Sequence, residues 1–382
     1  MTTESKLTHL EHPEDRLITG GQEGFHHSLH DLDAVHEQLS GHKNKAHLAT
    51  KYDGAPSLVF GHHPESGKFF VATKSAFNKT PKLNYTHADI VKNHEAGGLR
   101  EKLHTALKHL PKVAPKTGVF QGDVMYSHHD VAHDDKSYHF KPNTITYSAG
   151  KHSEEGKKIG KAKMGLVVHT HYRGLTNKLE DMKATHYHGI LSHFGSHPDV
   201  HLVDPHYDTS KAHYTPEAQK EYHHHMREAM RHVNKLGDVG HAVIAQHKEH
   251  LQRYVNDVVR TRSHPDAGKF QNFVEQIHNK KLGELKTASK RKEHSFKSVA
   301  DLTHIHANKE HFEHLFAAHG HLQAAKGVLM HAMHGHTTFH HSINGKPSQP
   351  EGYVLSHAGR TTKLVDRKEF SHANLQKREF GK

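Results

Sequence analysis

Short apolar runs separated by turn residues dominate the first 175 residues of the chain. Runs of about four to eight apolar or β-branched residues between Gly, Pro, Asn and Asp are typical of β-strands. The predicted strands are 46–51, 57–60, 68–75, 117–126, 137–142, 143–148 and 164–172. One helix is predicted at 99–110, because its apolar residues recur every three to four positions and Pro111 ends the pattern. This part of the chain is therefore predicted to be α/β.

The pattern changes between about residues 208 and 340, where apolar residues recur with helical spacing. The predicted helices are 215–236, 241–262, 266–283 and 307–335, in an all-helical block of four or five helices. The first begins with Thr215 as N-cap and Pro216 at the first helical position. Strand patterns return at 351–356 and 361–370.

This order predicts a domain of mixed strands and helices, of the α+β class, that is interrupted by a helical insertion. The predicted boundaries are 1–205 for the first part of the domain, 206–345 for the insertion and 346–382 for the completion of the domain. No internal repeat is visible in the sequence.

The composition is basic and rich in histidine. Lys and Arg number 52 against 41 Asp and Glu, which gives a net charge of +11 with the 51 histidines counted as neutral. A positive field of this kind favours nucleic acid or nucleotide phosphates as partners, although a bias towards solubility explains the charge equally well. Because histidine is spread along almost the whole chain, we expect its local clusters to bind nickel or zinc adventitiously rather than as specific sites.

Several classes of protein are excluded by what the sequence lacks. It contains no cysteine, so it holds neither disulfides nor thiolate metal sites. It has no apolar segment long enough to span a membrane, and the N-terminus lacks the pattern of a signal peptide. We expect a soluble cytoplasmic protein with no membrane partner, and a monomer rather than an oligomer.

The segment Lys51-Tyr52-Asp53-Gly54 stands between two predicted strands. It resembles the K-x-D-G motif of covalent nucleotidyltransferases, the superfamily of ATP-dependent DNA ligases, RNA ligases and mRNA capping enzymes. Further partial matches follow in the order found in that superfamily: Lys74-Ser75, Gly122-Asp123, His169, Glu351-Gly352-Tyr353-Val354 and Lys363. The chain as a whole, including the start His12-Pro13-Glu14 and the run 140–148, also resembles an uncharacterised ligase-like family of tailed bacteriophages.

The resemblance implies an adenylation domain of antiparallel sheets with helices, ATP-grasp-like in architecture, and a role for each matching residue. Lys51 would attack the α-phosphate of ATP, with Lys363 and Asp53 as its catalytic partners. Thr50, Tyr52, Gly54, Ser57, Lys74, His169 and Glu351 would contact the nucleotide, with His169 stacking on the base. Asp123 and Glu351 would bind Mg²⁺, or Mn²⁺ in its place, since carboxylate oxygens suit such ions. AMP would then pass to a polynucleotide 5′-phosphate, and a 3′-OH would displace it to seal the strand.

Three departures from the superfamily pattern shape the choice of substrate. Ala55-Pro56-Ser57 stands where DNA ligases and capping enzymes usually place an arginine, and Ser57 is closer to RNA ligases. The lysine motif around Lys363 keeps one of its two usual lysines. The chain ends about twenty residues after Lys363, so no C-terminal oligonucleotide-binding barrel is expected, and the basic helical insertion is the candidate for gripping nucleic acid.

An ATP-dependent RNA ligase is therefore the leading hypothesis, in the cytoplasm of an infected bacterium if the gene is viral. Two alternatives remain open: a DNA ligase or end-modifying nucleotidyltransferase, and a catalytically lapsed ligase fold that binds nucleic acid. Each residue also has a structural explanation. Asp53-Gly54 is a common hairpin turn, Lys51 and Lys74 could be solvated strand lysines, and His169 could be an ordinary sheet histidine.

Overall fold

The computed structural model describes residues 10–174, 178–185, 189–335 and 337–367. Its α-helices are α1 (Arg16–Leu39), α2 (His87–Asn93), α3 (Gly98–His109), α4 (Glu154–Lys161), α5 (Pro216–Gln246), α6 (Lys248–Arg260), α7 (Ala267–Glu284), α8 (Ala288–Ala307) and α9 (Lys309–Met333). Helices are thus concentrated after residue 215, as the apolar spacing predicts. The predicted break between 236 and 241 is a kink at Gly237, whose φ of 54° interrupts α5.

The strands in the described ranges are β1 (His47–Lys51), β2 (Ser57–His62), β3 (Phe69–Ala72), β4 (Val119–Ser127), β5 (Ala132–His133), β6 (Ser137–Phe140), β7 (Thr146–Gly150), β8 (Met164–Arg173), β9 (Lys183–Thr185), β10 (Val200–Leu202), β11 (His340–Ile343), β12 (Lys346–Pro347), β13 (Gly352–His357) and β14 (Arg360–Val365). They form three sheets, with the orders β1-β13-β14, β10-β8-β4-β2-β3 and β12-β11-β7-β6-β5. Nearly all of the pairings are antiparallel, and β10 runs parallel to β8. The predicted α+β class with antiparallel sheets is confirmed.

Two compact units divide the chain, and they do not follow the predicted boundaries. One contains Lys45–Thr209 and His334–Thr361, and the other contains Glu11–Asn44, Ser210–Met333 and the described residues from Thr362 onward. Residues 334–345 thus lie in the strand-containing unit rather than in the helical one. Residues 11–44, which include α1, lie in the helical unit, although the sequence predicted no helix there.

One of the apolar clusters of the strand-containing unit lies on one face of the central sheet. Phe60 of β2, Phe120 of β4 and Leu166 of β8 are almost completely buried there. Leu103 of α3 packs into the same cluster, which also contains Val200 of β10. Burial of such apolar side chains is the main stabilising contribution to folding, and it holds β2, β4 and β8 in register.

The helical unit is built around α9, which carries a long series of buried residues. Phe312 and Phe316 of α9 contact the ring of Phe270 of α7, with ring centroids 5.1 and 6.0 Å apart. Tyr222 of α5 is fully buried and donates a hydrogen bond of 2.6 Å to Asp33 of α1. In the described part of the chain, no helix is long and apolar enough to cross a membrane.

Candidate active site

Lys51 lies at the last position of β1, directly opposite Gly352 of β13. Its Nζ donates a hydrogen bond of 2.6 Å to Oε2 of Glu351, a residue 300 positions away in the sequence. The Lys51 side chain is 30% exposed and the Glu351 side chain 11%. The antiparallel pairing of β1 with β13 therefore joins the first and last parts of the strand-containing unit at one partly buried ion pair.

The carboxyl group of Glu351 lies in an environment that disfavours its charge. Burial raises its pKa, and the nearby carboxylates Asp53 and Asp123 raise it further, while Lys51 opposes the shift. The net pKa of Glu351 is above its usual value. Three acidic residues and one lysine from distant parts of the sequence therefore lie close enough to influence one another.

The side chain of Asp53 is buried and is held by a neighbouring loop. Its oxygens accept hydrogen bonds from Nδ2 of Asn143 (2.8 Å), from the N–H of Thr144 (2.7 Å) and from the N–H of Ile145 (3.2 Å). Its own N–H donates to the hydroxyl of Tyr147 at 2.7 Å. These contacts fix the segment that follows Lys51. No sequence pattern predicts this anchoring role, although the run 140–148 is part of the family resemblance.

Tyr52 points into the core, contrary to its predicted contact with a nucleotide. It is 5% exposed, and its ring packs on those of Tyr147 and Phe339 at centroid distances of 5.8 and 5.9 Å. Burial raises the pKa of its hydroxyl well above the usual value. Because side chains alternate along an extended segment, the burial of Tyr52 leaves Lys51 on the accessible side.

Gly54 passes so close to β4 that no larger residue fits there without movement. A Cβ at this position would lie 2.7 Å from Cβ of Asp123 and 3.2 Å from the carbonyl oxygen of Val124. The N–H of Ala55 donates to that same carbonyl at 2.9 Å. The resemblance assigned Gly54 to contact with the nucleotide, and the close approach that the structure shows is that of the strand bearing Asp123.

Substituting Gly54→Ala should therefore destabilise the protein by about 1–3 kcal/mol, the usual cost of overpacking a closely packed position. Urea unfolding measures this effect. Gly98→Ala is the matched control, because a Cβ at that helical position meets nothing within 4 Å. Unfolding of Gly54→Ala at the same urea concentration as the wild type would contradict the close packing of Gly54 against Asp123.

Asp123 lies on β4 opposite Ser57 of β2. Nε2 of His169 is 3.5 Å from Oδ1 of Asp123. Burial by itself would raise the pKa of Asp123, but His169, the Ser57 hydroxyl and Lys51 together bring it below its usual value. Asp123 is therefore an ionised carboxylate in a half-buried position near Lys51, with its side chain 27% exposed.

A β-bulge in β8 determines the position of His169. Gln121 pairs with Thr170 and Gly122 pairs with Val168, so His169 is the extra residue between the two pairs. A Cβ on Gly122 would lie 2.5 Å from the Val167 carbonyl oxygen, so only glycine allows this approach of β4 to β8. His169 is predicted to stack on a base, and the structure places it beside Asp123 with its side chain 32% exposed.

The hydroxyl of Ser57 belongs to a polar chain that the sequence analysis did not predict. It accepts a hydrogen bond of 2.8 Å from Nε2 of Gln121, whose Oε1 in turn accepts one from the buried Tyr172 hydroxyl. Gln121 and Tyr172 occupy inward positions of strands β4 and β8. No sequence motif marks them, because their partners become neighbours only when the sheet forms.

Thr50, Lys74 and Lys363 are the remaining predicted site residues. Thr50 is buried, and its N–H donates to the carbonyl of Pro205 at 2.6 Å. The predicted strand 68–75 ends at Ala72, and the exposed Lys74 begins a 3₁₀ turn, Lys74–Phe77. Lys363 lies on β14 but belongs to the helical unit, where its N–H donates to the carbonyl of Glu11. The roles predicted for Lys74 and Lys363 remain predictions.

The chemistry of the donors at this site fits a hard cation. Mg²⁺ is usually bound by one or two carboxylates together with substrate phosphates. Asp123 and Glu351 provide two such carboxylates. Asp123 lies within β4, and Glu351 immediately precedes β13. In the described residues, no group of three or more closely spaced histidine and acidic ligand atoms includes either of them, so any ion here needs phosphate or water ligands as well.

Comparison with known proteins identifies the family but not its activity. No curated protein and no solved structure matches the chain. One family model, described as a family of unknown function (DUF6267), matches residues 7–379. The match covers nearly the whole sequence, including both compact units. The chain therefore belongs to the family of unknown function DUF6267.

Proposed function

We propose that this protein is an ATP-dependent polynucleotide ligase that acts on RNA rather than DNA through an AMP group carried on Lys51. The observation that carries the proposal is the pairing of Lys51 with Glu351, 2.6 Å apart across β1 and β13. Asp53 and Asp123 lie near the same pair. A lone lysine motif would be weak support, whereas these four residues come together from three distant parts of the chain.

The first chemical step is the attack of Lys51 on the α-phosphate of ATP. A lysine is nucleophilic only as the neutral amine, so Lys51 first gives up a proton. Glu351 already accepts a hydrogen bond from Nζ, and its raised pKa makes it the group placed to take that proton. The nitrogen lone pair forms the P–N bond while the bond to the β-phosphate breaks, and pyrophosphate leaves with the electron pair.

Asp123 and the second oxygen of Glu351 are the residues that would hold Mg²⁺. A bound divalent ion neutralises phosphate charge, which is a main requirement of phosphoryl transfer. Asp123 suits this role because its pKa is lowered, so that it is ionised at neutral pH. His169, beside Asp123, would orient that carboxylate.

The second and third steps seal the strand. The AMP group passes from Lys51 to a 5′-phosphate, and the oxygen of a 3′-OH then forms the new phosphodiester bond as AMP leaves. The chain is basic, and a positive surface attracts the phosphate backbone without regard to sequence. RNA is preferred because Ala55-Pro56-Ser57 stands where DNA ligases usually place an arginine and because Ser57 is closer to RNA ligases. Ser57 faces Asp123 across β2 and β4.

A second candidate is a lapsed ligase fold that binds nucleic acid without joining it. The observation in its favour is that the polar groups of Lys51 and Asp53 are engaged by other side chains and by backbone N–H groups. Such contacts would persist in a protein that had lost catalysis.

A strand-joining assay tests the proposal and separates the candidates. The purified full chain is mixed with ATP, Mg²⁺ and 5′-phosphorylated single-stranded RNA, and in parallel with nicked duplex DNA. We expect joined RNA on a denaturing gel, and much less joined DNA. A parallel reaction with α-labelled ATP measures the transfer of AMP to the protein. Binding of either nucleic acid without joining and without this transfer would contradict the ligase proposal and favour the lapsed fold. Efficient joining of nicked DNA alone would overturn the RNA assignment.

A further inference from the structure

Helix α8 is held to its neighbours by an unusually small apolar contact. It is 20 residues long, yet Ile305 is its only buried residue. Most helices in proteins are stabilised by packing of an apolar face rather than by their own propensity. The attachment of α8 must therefore depend on the polar residues along its inner face.

Those polar residues meet histidines of α6 and α7. Oδ2 of Asp301 on α8 lies 3.1 Å from Nε2 of His278 on α7. Ligand atoms of Asp301, His278 and His250, the last of these on α6, all lie within 4.8 Å of one another. All three helices belong to the helical unit.

His278 has a buried nitrogen that lacks a hydrogen-bond partner. The residue is 3% exposed, and its Nε2 makes no hydrogen bond, although it lies within ion-pair distance of Asp301. Its other ring nitrogen lies 3.3 Å from Nε2 of His294 on α8. A buried polar atom without a partner is costly, and in native proteins it commonly points to an unseen ligand.

The spacing of these atoms leaves room for one metal ion bound to both. Two ligands that are each about 2.0–2.1 Å from one ion, at angles between octahedral and tetrahedral, lie about 2.8–3.4 Å apart. The separation of 3.1 Å between His278 and Asp301 falls in this interval. A metal-binding histidine usually makes a hydrogen bond through its other ring nitrogen. In His278 that nitrogen is Nδ1, which contacts Nε2 of His294.

We propose that His250, His278 and Asp301 bind one divalent transition-metal ion, of which Zn²⁺ is the probe, and that the ion fastens α8 to α6 and α7. Two imidazoles and one carboxylate form a donor set suited to such ions. Burial lowers the pKa of His250 and of His278, which keeps both imidazoles in the neutral form that binds metals. This site is independent of the proposed ligase reaction.

The charges around the site set a limit on its affinity. Arg253 and Lys297 lie close enough to lower the pKa of His250, and both oppose the binding of another cation. Asp301 supplies the compensating negative charge. Removing its charge should therefore have a large effect, even though asparagine has almost the same shape.

The test uses the full chain without a histidine tag, stripped of metal and titrated with Zn²⁺ against a chromophoric chelator. We expect the wild type to bind one equivalent of Zn²⁺ tightly. Asp301→Asn and His278→Gln should weaken this binding by more than about 100-fold, because outer contacts alone typically account for about 10–100-fold. His232→Gln, in another candidate group formed by α5 and α9, and the exposed His128→Gln are the controls and should keep the tight equivalent.

A second measurement keeps the proposal testable if His278→Gln folds poorly. Hydrogen exchange of the α8 amides should slow when Zn²⁺ is added to the wild type and should not change in Asp301→Asn. Absence of a tight equivalent in the wild type, or equal affinity in wild type and Asp301→Asn, would mean adventitious binding only. Tight binding without slower exchange in α8 would overturn the fastening role.

Discussion

Substitution of Lys51 by arginine should abolish the transfer of AMP from ATP to the protein while leaving the fold intact. Arginine keeps the positive charge and can still donate to Glu351, which lies 2.6 Å from Nζ of Lys51. It remains protonated, however, so it provides no neutral amine to attack phosphorus. Because removal of a nucleophile is among the most damaging changes in an enzyme, we expect a loss of more than about a thousandfold.

The measurement is the initial rate at which label from α-labelled ATP becomes attached to protein. Lys68→Arg is the matched control, since Lys68 is an exposed lysine before β3 and lies outside the site. Lys51→Ala is a poorer choice, because it leaves the largely buried Glu351 carboxylate without its cation. Labelling of Lys51→Arg at the wild-type rate would exclude Lys51 as the nucleophile.

The largest effect on stability is expected at Lys326 of α9. This lysine is 2% exposed and donates to Oε1 of Glu14 at 2.5 Å and to the carbonyl of Val365 at 2.9 Å. Glu14 is completely buried. The substitution Lys326→Met keeps most of the volume but leaves the Glu14 carboxylate without a charged partner, which should lower the free energy of unfolding by about 3–5 kcal/mol.

Urea unfolding of the single and double variants measures this ion pair. The double variant Glu14→Leu with Lys326→Met removes both charges, and it should recover most of the lost stability, because a buried pair contributes little relative to apolar residues of similar volume. A double variant as unstable as Lys326→Met would show that packing, rather than an unpaired charge, causes the loss. Wild-type stability in the single variant would contradict the buried position of Glu14.

Local patterns predicted the strands that carry the site, because β1, β2, β4, β8 and β13 are apolar runs bounded by turn residues. They could not predict that Lys51 faces Glu351, since strand pairing across 300 residues leaves no trace in periodicity. The resemblance to nucleotidyltransferases assigned both residues to one site but did not predict this ion pair. The order of motifs therefore carried information that the apolar pattern lacks.

Helices were predicted well where an apolar face is buried and poorly where polar contacts replace it. No bounds were predicted for α8, which buries only Ile305. Helix α1 was also missed, because it contains Gly20 and Gly21, the latter with a φ of 57°, and because its burial includes polar residues such as Asp31. In both helices, partners that are distant in sequence determine the structure.

For Tyr52 and Asp53, the roles that the motif implies differ from the contacts that the structure shows. The resemblance assigned both residues to the nucleotide or the nucleophile, but the ring of Tyr52 packs in the core and the carboxylate of Asp53 binds the 143–145 loop. Asp53 therefore positions the segment after Lys51 through backbone contacts. Those contacts depend on Thr144 and Ile145, whose N–H groups no side-chain pattern reveals.

The most direct test of the central claim is to locate AMP on the wild-type protein. The full chain is incubated with ATP and Mg²⁺, digested under conditions that preserve phosphoramidates, and its peptides are mapped by mass spectrometry. The proposal predicts AMP on Lys51, in the peptide that contains Tyr52-Asp53-Gly54. AMP on another lysine, such as Lys74 or Lys363, or no AMP on any peptide with ATP and either Mg²⁺ or Mn²⁺, would contradict it.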